Sequence, residues 1–230
     1  MRRIILATFF LICTYTNAQR KEKSIQFNLT YNNQPLQLHK NYLLASKKDS
    51  IKIETLRFFI SNIQFSLNKK VVTEVQKKYH LIDSEKPNSQ HITFLHNSDE
   101  VFNTIKFNIG IDSITNVSGV FGGDLDPTNG MYWTWQSGYI NFKLEGKSAN
   151  CQARNNVFQF HLGGYQFPAN TIQSVELEIK NSEEIIINIA LNSFLDEINL
   201  AETYTVLSPN KTAMSLAKLL PTMFSIQDEN

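Results

Sequence analysis

Apolar residues recur at every second position in run after run of this chain. Ile25, Phe27, Leu29 and Tyr31 alternate with Gln26, Asn28 and Thr30. Ile63, Phe65 and Leu67 alternate with Asn62, Gln64 and Ser66, and Val101, Ile105, Phe107, Ile109 and Ile111 form a further set. Phe158, Phe160 and Leu162 face away from Gln159 and His161. Strand side chains point alternately to the two faces, so period two means one dry side and one wet side. Leu56 to Ile60 reads as a strand buried on both faces. Turn residues separate the runs, at Asn32-Asn33, Asn68-Lys69-Lys70 and Gly163-Gly164. Val175, Leu177 and Ile179, then Asn181-Ser182-Glu183, then Ile185, Ile187 and Ile189 predict a hairpin. Glu85 to Asn97 is polar, and its His91 and His96 read as exposed. Helical spacing is confined to the C-terminal part. Ala213, Leu216, Ala217 and Leu220 follow a Ser208-Pro209 cap and stop at Pro221, and Asn192 to Ile198 suggests a second short helix. The pattern predicts an all-β chain: one antiparallel β-sandwich of Ig-like, two-sheet architecture over residues 19–230, with one or two short helices near the C-terminus.

Both tryptophans fall in one stretch, Asp124 to Gly146. Asp126-Pro127-Thr128-Asn129-Gly130 is a turn, and a single long strand is expected after it. Met131, Trp133 and Trp135 share a face of that strand, but beyond Gly138 the apolar set becomes Ile140, Phe142 and Leu144. One extra residue accounts for the change of phase, so a bulge is predicted at Ser137-Gly138. The tryptophans either fill core or wall a site.

The chain opens with Arg2-Arg3, an apolar run from Ile4 to Cys13, and Thr16-Asn17-Ala18. That order predicts a signal peptide over residues 1–18, cut before Gln19, and a periplasmic or secreted protein. A lipid anchor at Cys13 is the rival, opposed by Ile12 where a small residue is wanted. No other run resembles a transmembrane helix. The 22 basic and 21 acidic residues nearly cancel, which argues against nucleic acid or an anionic membrane as partner. Loss of the leader leaves Cys151 alone, without a disulfide partner, in a polar loop.

No nucleophile elbow, phosphate loop, dinucleotide fingerprint or zinc-protease motif occurs, and no enzyme is predicted. Asp124 and Asp126 suit turn formation, and Glu176 and Glu178 lie on a solvated strand face. Of the five histidines, none has a local ligand spacing to another. His161 stands out, at a strand end opposite the phenylalanines and ahead of Gly163-Gly164. It is either a surface residue or a metal ligand.

Met-Tyr-Trp-Thr-Trp-Gln-Ser-Gly-Tyr (131–139) followed by Phe-His-Leu-Gly-Gly (160–164) resembles the MbnP-like copper-binding proteins. Glu54 to Ile63, His80-Leu81-Ile82-Asp83 and Ala217 to Phe224 are similar to further segments of that family. The resemblance implies an exported β-sandwich, a copper site of histidines with an oxidised tryptophan, and a di-haem peroxidase-like partner. His161 matches the histidine of the family's His-Leu-Gly, and Trp133 and Trp135 are the tryptophans open to oxidation or to walling the site. The family's tryptophan and second ligand histidine are expected before the central stretch, yet Ile114 to Phe121 holds neither, and one branch's cysteines are absent. Copper at His161 therefore needs another ligand from across the fold, and His39 and Met131 are the candidates. The alternative is a metal-free sandwich that uses Trp133, Trp135 and Tyr139 to bind a glycan or a protein.

Overall fold

A computed structural model describes residues 20–44 and 48–227. The predicted leader, its cleavage site and Cys13 lie outside the described residues. In chain order the first strands are β1 (Arg20–Tyr31), β2 (Gln34–Pro35), β3 (Asn41–Leu44), β4 (Asp49–Leu67), β5 (Lys70–Glu74) and β6 (Tyr79–Asp83). Then come β7 (His91–Asn97), β8 (Thr104–Ile109), a short helix α1 (Ser113–Val117), β9 (Tyr132–Trp133), β10 (Gly138–Ser148) and β11 (Val157–Gly163). The remainder is β12 (Tyr165–Gln166), β13 (Ala169–Asn170), β14 (Gln173–Glu178), β15 (Glu184–Ala190), α2 (Leu191–Leu195), β16 (Thr205–Val206), α3 (Lys211–Ala217) and β17 (Phe224–Ile226).

Two sheets enclose the main core. One runs β17-β15-β1-β2 with β7 also on β1, and the other runs β14-β8-β4-β10-β11-β16. The sandwich expected from the alternation is what forms. Most pairings are antiparallel, and β1–β15 and β11–β16 are parallel. Ile25, Phe27 and Tyr31 from one sheet meet Phe58, Phe107, Phe142 and Phe160 from the other, all buried. Phe27 and Phe107 touch edge to face, with centroids 6.0 Å apart.

Three expectations are corrected. The segment from Met131 to Glu145 is not one bulged strand. Tyr132 pairs with Tyr139 and Trp133 with Gly138, so the chain reverses in a hairpin whose turn includes Ser137 at φ 50°. The phase itself changes further on: Ile140 packs with Trp133 outside the sheet while Phe142 lies in the main core, and the β10–β11 register shifts between them, so the irregularity expected at Ser137-Gly138 falls between Ile140 and Phe142. Nor do β14 and β15 form a hairpin. β14 pairs with β8 in one sheet and β15 with β1 in the other, so the link between them crosses the sandwich. Lys23 clamps that crossing, donating to Asn181 Oδ1 at 3.0 Å and to the Ser182 carbonyl at 2.5 Å. Finally, His96 is buried rather than exposed. It follows Ile92 and Phe94 on the inner face of β7, and its ring nitrogens have no hydrogen-bond partner among the described residues.

The helix ends also differ in detail. α3 is capped by Asn210, whose side chain accepts from the Ala213 amide, so Ser208-Pro209 precede the cap. α1 has no apolar period in its sequence. It forms because Asp112 accepts from the Thr115 amide and caps it. Cys151, expected in a polar loop, is buried, and its Sγ lies 3.2 Å from the Val157 carbonyl.

Candidate functional site

A polar row crosses the outer face of the larger sheet. His161 on β11 pairs with Lys143 on β10, Lys143 with Arg57 on β4, and Arg57 with Asp83 on β6. Directly paired residues share a face, and Glu145 and Gln159, each two residues along its strand, share it too. His161 Nε2 lies 2.6 Å from Glu145 Oε1. An ionised carboxylate only accepts, so Nε2 carries the proton, and Nδ1 has no hydrogen-bond partner among the described residues. The His161 bond, backed by Lys143 at 3.8 Å, holds the Glu145 carboxyl down at about 2. Arg57 Nε sits 3.0 Å from Asp83 Oδ2, an ion pair without hydrogen-bond geometry, and the guanidinium also binds Glu85. Arg57 donates to the Asn129 carbonyl at 3.3 Å and Lys143 to the Gly130 carbonyl at 3.4 Å. The turn at residues 126–130 is thereby tied over the row.

Beside the row lies a second, smaller apolar cluster on the same outer face. Phe59, Leu81, Ile111, Leu125, Met131, Trp133, Tyr139 and Ile140 compose it. It exists because the chain between β8 and β10 leaves the sheet, runs through α1 and the 126–130 turn, and folds back over the sheet's outside. Two buried asparagines anchor that excursion. Asn116 donates to the Ile111 and Asp112 carbonyls at 2.9 and 3.0 Å and accepts from the Tyr139 amide at 2.9 Å. Asn141 accepts from the Ile111 amide and donates to Thr171 Oγ1, each at 2.9 Å. Gly110, at φ 114°, has no room for a side chain, since a Cβ there would stand 2.5 Å from Asn141. An amide inside an apolar strand run is the sign of Asn141 in the sequence.

The Trp133 ring reaches β11 so closely that a Cβ on Gly163 would stand 2.5 Å from it. Gly163 is two residues from His161, on the same face, so imidazole, carboxylate and indole occupy neighbouring places. Trp135 leaves the cluster at the hairpin turn. It is 65% exposed, with its ring centroid 5.8 Å from that of Trp133. Met131 is buried in the small cluster. His39 is not brought to His161. It sits exposed at φ 63°, its amide bonded to the Ile53 carbonyl on the edge of β4 away from β10. His80 is a buried structural histidine, held down to about 4 by burial, with Nε2 2.8 Å from the Lys77 carbonyl.

The donors fit a resident copper poorly. Nδ1 of His161 is open and Glu145 orients the ring from the other side, an arrangement that metal-bound histidines share. But among the described residues no three His, Cys, Asp or Glu side chains converge, and Lys143 stands beside Glu145. Copper prefers several nitrogen or sulfur donors, and a neighbouring ammonium opposes a cation.

A further apolar surface adjoins the site. Ile114 and Val117 of α1, Val120, Phe121, Trp135, and Phe167 at the β12–β13 turn are all exposed. They belong together, because α1 packs on both β10 and β12, and the Phe121 amide donates to Tyr139 Oη at 3.2 Å.

Fold and site together define a β-sandwich with an aromatic outer layer beside a histidine–carboxylate pair. The sequence model of the MbnP family matches residues 20–215, and the chain belongs to that family. Its fold is similar to that of MbnP from Methylosinus trichosporium, with a TM-score of 0.55, 12% identity and 80% of each chain covered. No curated protein matches the chain.

Proposed function

We propose that this chain is an exported, non-catalytic member of its family that binds a protein partner through its aromatic end, without a resident metal. The observation that carries the reading is the exposed apolar surface, with Trp135 65%, Ile114 73% and Phe167 97% exposed. Such surfaces are uncommon on chains with no partner. Residues 112–139 and 163–171 include Asp112, Asp124 and Asp126 but no Lys or Arg, and the two lysines that reach them, Lys77 and Lys78, are paired with Asp124 and Asp112, which disfavours an anionic membrane or a nucleic acid as occupant. Mixed aliphatic and aromatic side chains suit an apolar protein surface better than a sugar ring. Among the described residues no helix is long and apolar enough to cross a membrane. Export rests on residues 1–18 alone.

Copper binding at His161 is the second reading. It is favoured by the open Nδ1, the orienting Glu145 and the nearby Trp133, together with family membership. In that reading a di-haem peroxidase-like partner would meet the exposed Trp135. A photocrosslinker placed at position 135 in the producing cells tests the first reading. One discrete adduct that vanishes in Phe167→Asp supports it. Absence of any adduct, or an adduct indifferent to Phe167→Asp, rejects it.

A further inference from the structure

The opposite face of the molecule carries a groove of about 740 Å³ with a distinct chemistry. It lies on the outer side of the smaller sheet, where β1, β15 and β17 run side by side. Asn28 on β1 pairs with Asn188 on β15, and Asn188 with Ser225 on β17, so amide, amide and hydroxyl form one row across three strands. Thr30 stands two residues from Asn28 on the same face, and Gln90 and Gln227 also line the groove. Not one of the thirteen lining residues is charged, in a chain with 22 basic and 21 acidic residues. Asn28 spends one donor on Gln227 Oε1 at 3.1 Å, and Thr30 donates to the Ile189 carbonyl at 3.3 Å. The side chains of Asn188, Gln90 and Ser225 have no hydrogen-bond partner among the described residues.

We propose that this groove binds a neutral oligosaccharide. Anionic ligands need a cation and metal ions need carboxylates, and the lining offers neither. An extended peptide would add at the free outer edge of β17, whereas Asn28 and Asn188 present side chains from β1 and β15, whose backbones are paired with each other. What the groove presents is side-chain amides, each holding a donor and an acceptor next to one another, and hydroxyls that do both. Neighbouring hydroxyls on a sugar ring match that set. Leu36 and Pro35 supply the apolar wall for the ring's C–H edges. No aromatic ring lines the groove, so affinity rests on hydrogen bonds that compete with water, and a dissociation constant of about 1 mM is expected.

The test is a titration of the full chain with neutral fragments of glucan, mannan and xylan, followed by the side-chain amide signals in ¹⁵N NMR. Saturable shifts at Asn188 and Gln90 are expected for at least one fragment, with equal affinity at low and high salt. Asn188→Ala should weaken binding by roughly tenfold. Ser225→Arg, at an exposed position where folding is not at stake, should abolish it. The proposal is overturned if no neutral fragment gives saturable shifts, or if binding survives Ser225→Arg. It is likewise overturned if the shifts fall at Trp135 while Asn188 stays silent, or if only acidic sugars bind with steep salt dependence.

Discussion

Glu145 is the residue on which the polar row depends. It accepts from His161 at 2.6 Å and from Gln159 at 3.3 Å, and Lys143 lies within 3.8 Å. Its folded carboxyl titrates at about 2 against 4.5 unperturbed. The folded state thus binds that proton less tightly than the unfolded state. The stabilisation is full above 4.5 and is lost as pH falls towards about 2. Glu145→Gln should therefore cost about 1–2 kcal/mol at neutral pH, reduced from the full shift by solvent screening. The cost should fade to nothing near pH 2, which denaturant unfolding across that range would read. A constant cost at every pH would mean that Glu145 matters for packing and not for charge. At this scale the sequence showed His161 and its outward face, because alternation gives direction. It did not show Glu145, since register decides which residue on β10 lies beside it.

Among the elements, the β9–β10 hairpin joins the aromatic layer to the sheet. Its contact with β11 passes through Gly163, where a methyl group would meet Trp133 at 2.5 Å and the Tyr139 carbonyl at 2.7 Å. Gly163→Ala should displace the indole and cost about 1–3 kcal/mol. The protein has two tryptophans, one buried and one exposed, so the displaced ring should shift tryptophan emission to the red. Unchanged emission and stability would contradict the contact. Period two announced most of the strands but not their neighbours, and the mistakes at this scale share that cause. The run at β14 and β15 looks identical whether the strands pair with each other or face each other across the core. The run at Trp133 looks identical whether the strand runs on or turns back. The burial of His96 has a related cause: His-Ile-Thr-Phe-Leu-His alternates as a strand does, but in a polar stretch the alternation does not tell which histidine faces the core.

For the whole molecule, the sandwich is a scaffold with two unlike outer faces. One carries the aromatic layer and the His161–Glu145 pair, and the other carries the uncharged groove. The fold was legible because many strands repeat one simple pattern. The site was legible only where a motif, His-Leu-Gly-Gly with the paired tryptophans, marked it. The excursion that builds the aromatic layer was not, because its anchors Asn116 and Asn141 act through contacts far apart in sequence. The central claim is the proposal that this family member has the sandwich without a resident copper at His161. Copper stoichiometry after loading and dialysis against a competing chelator, compared between the natural sequence and His161→Ala, tests that claim most directly. The expected result is well under one copper per chain and no difference between the two proteins. One copper per chain, lost in His161→Ala, would contradict it.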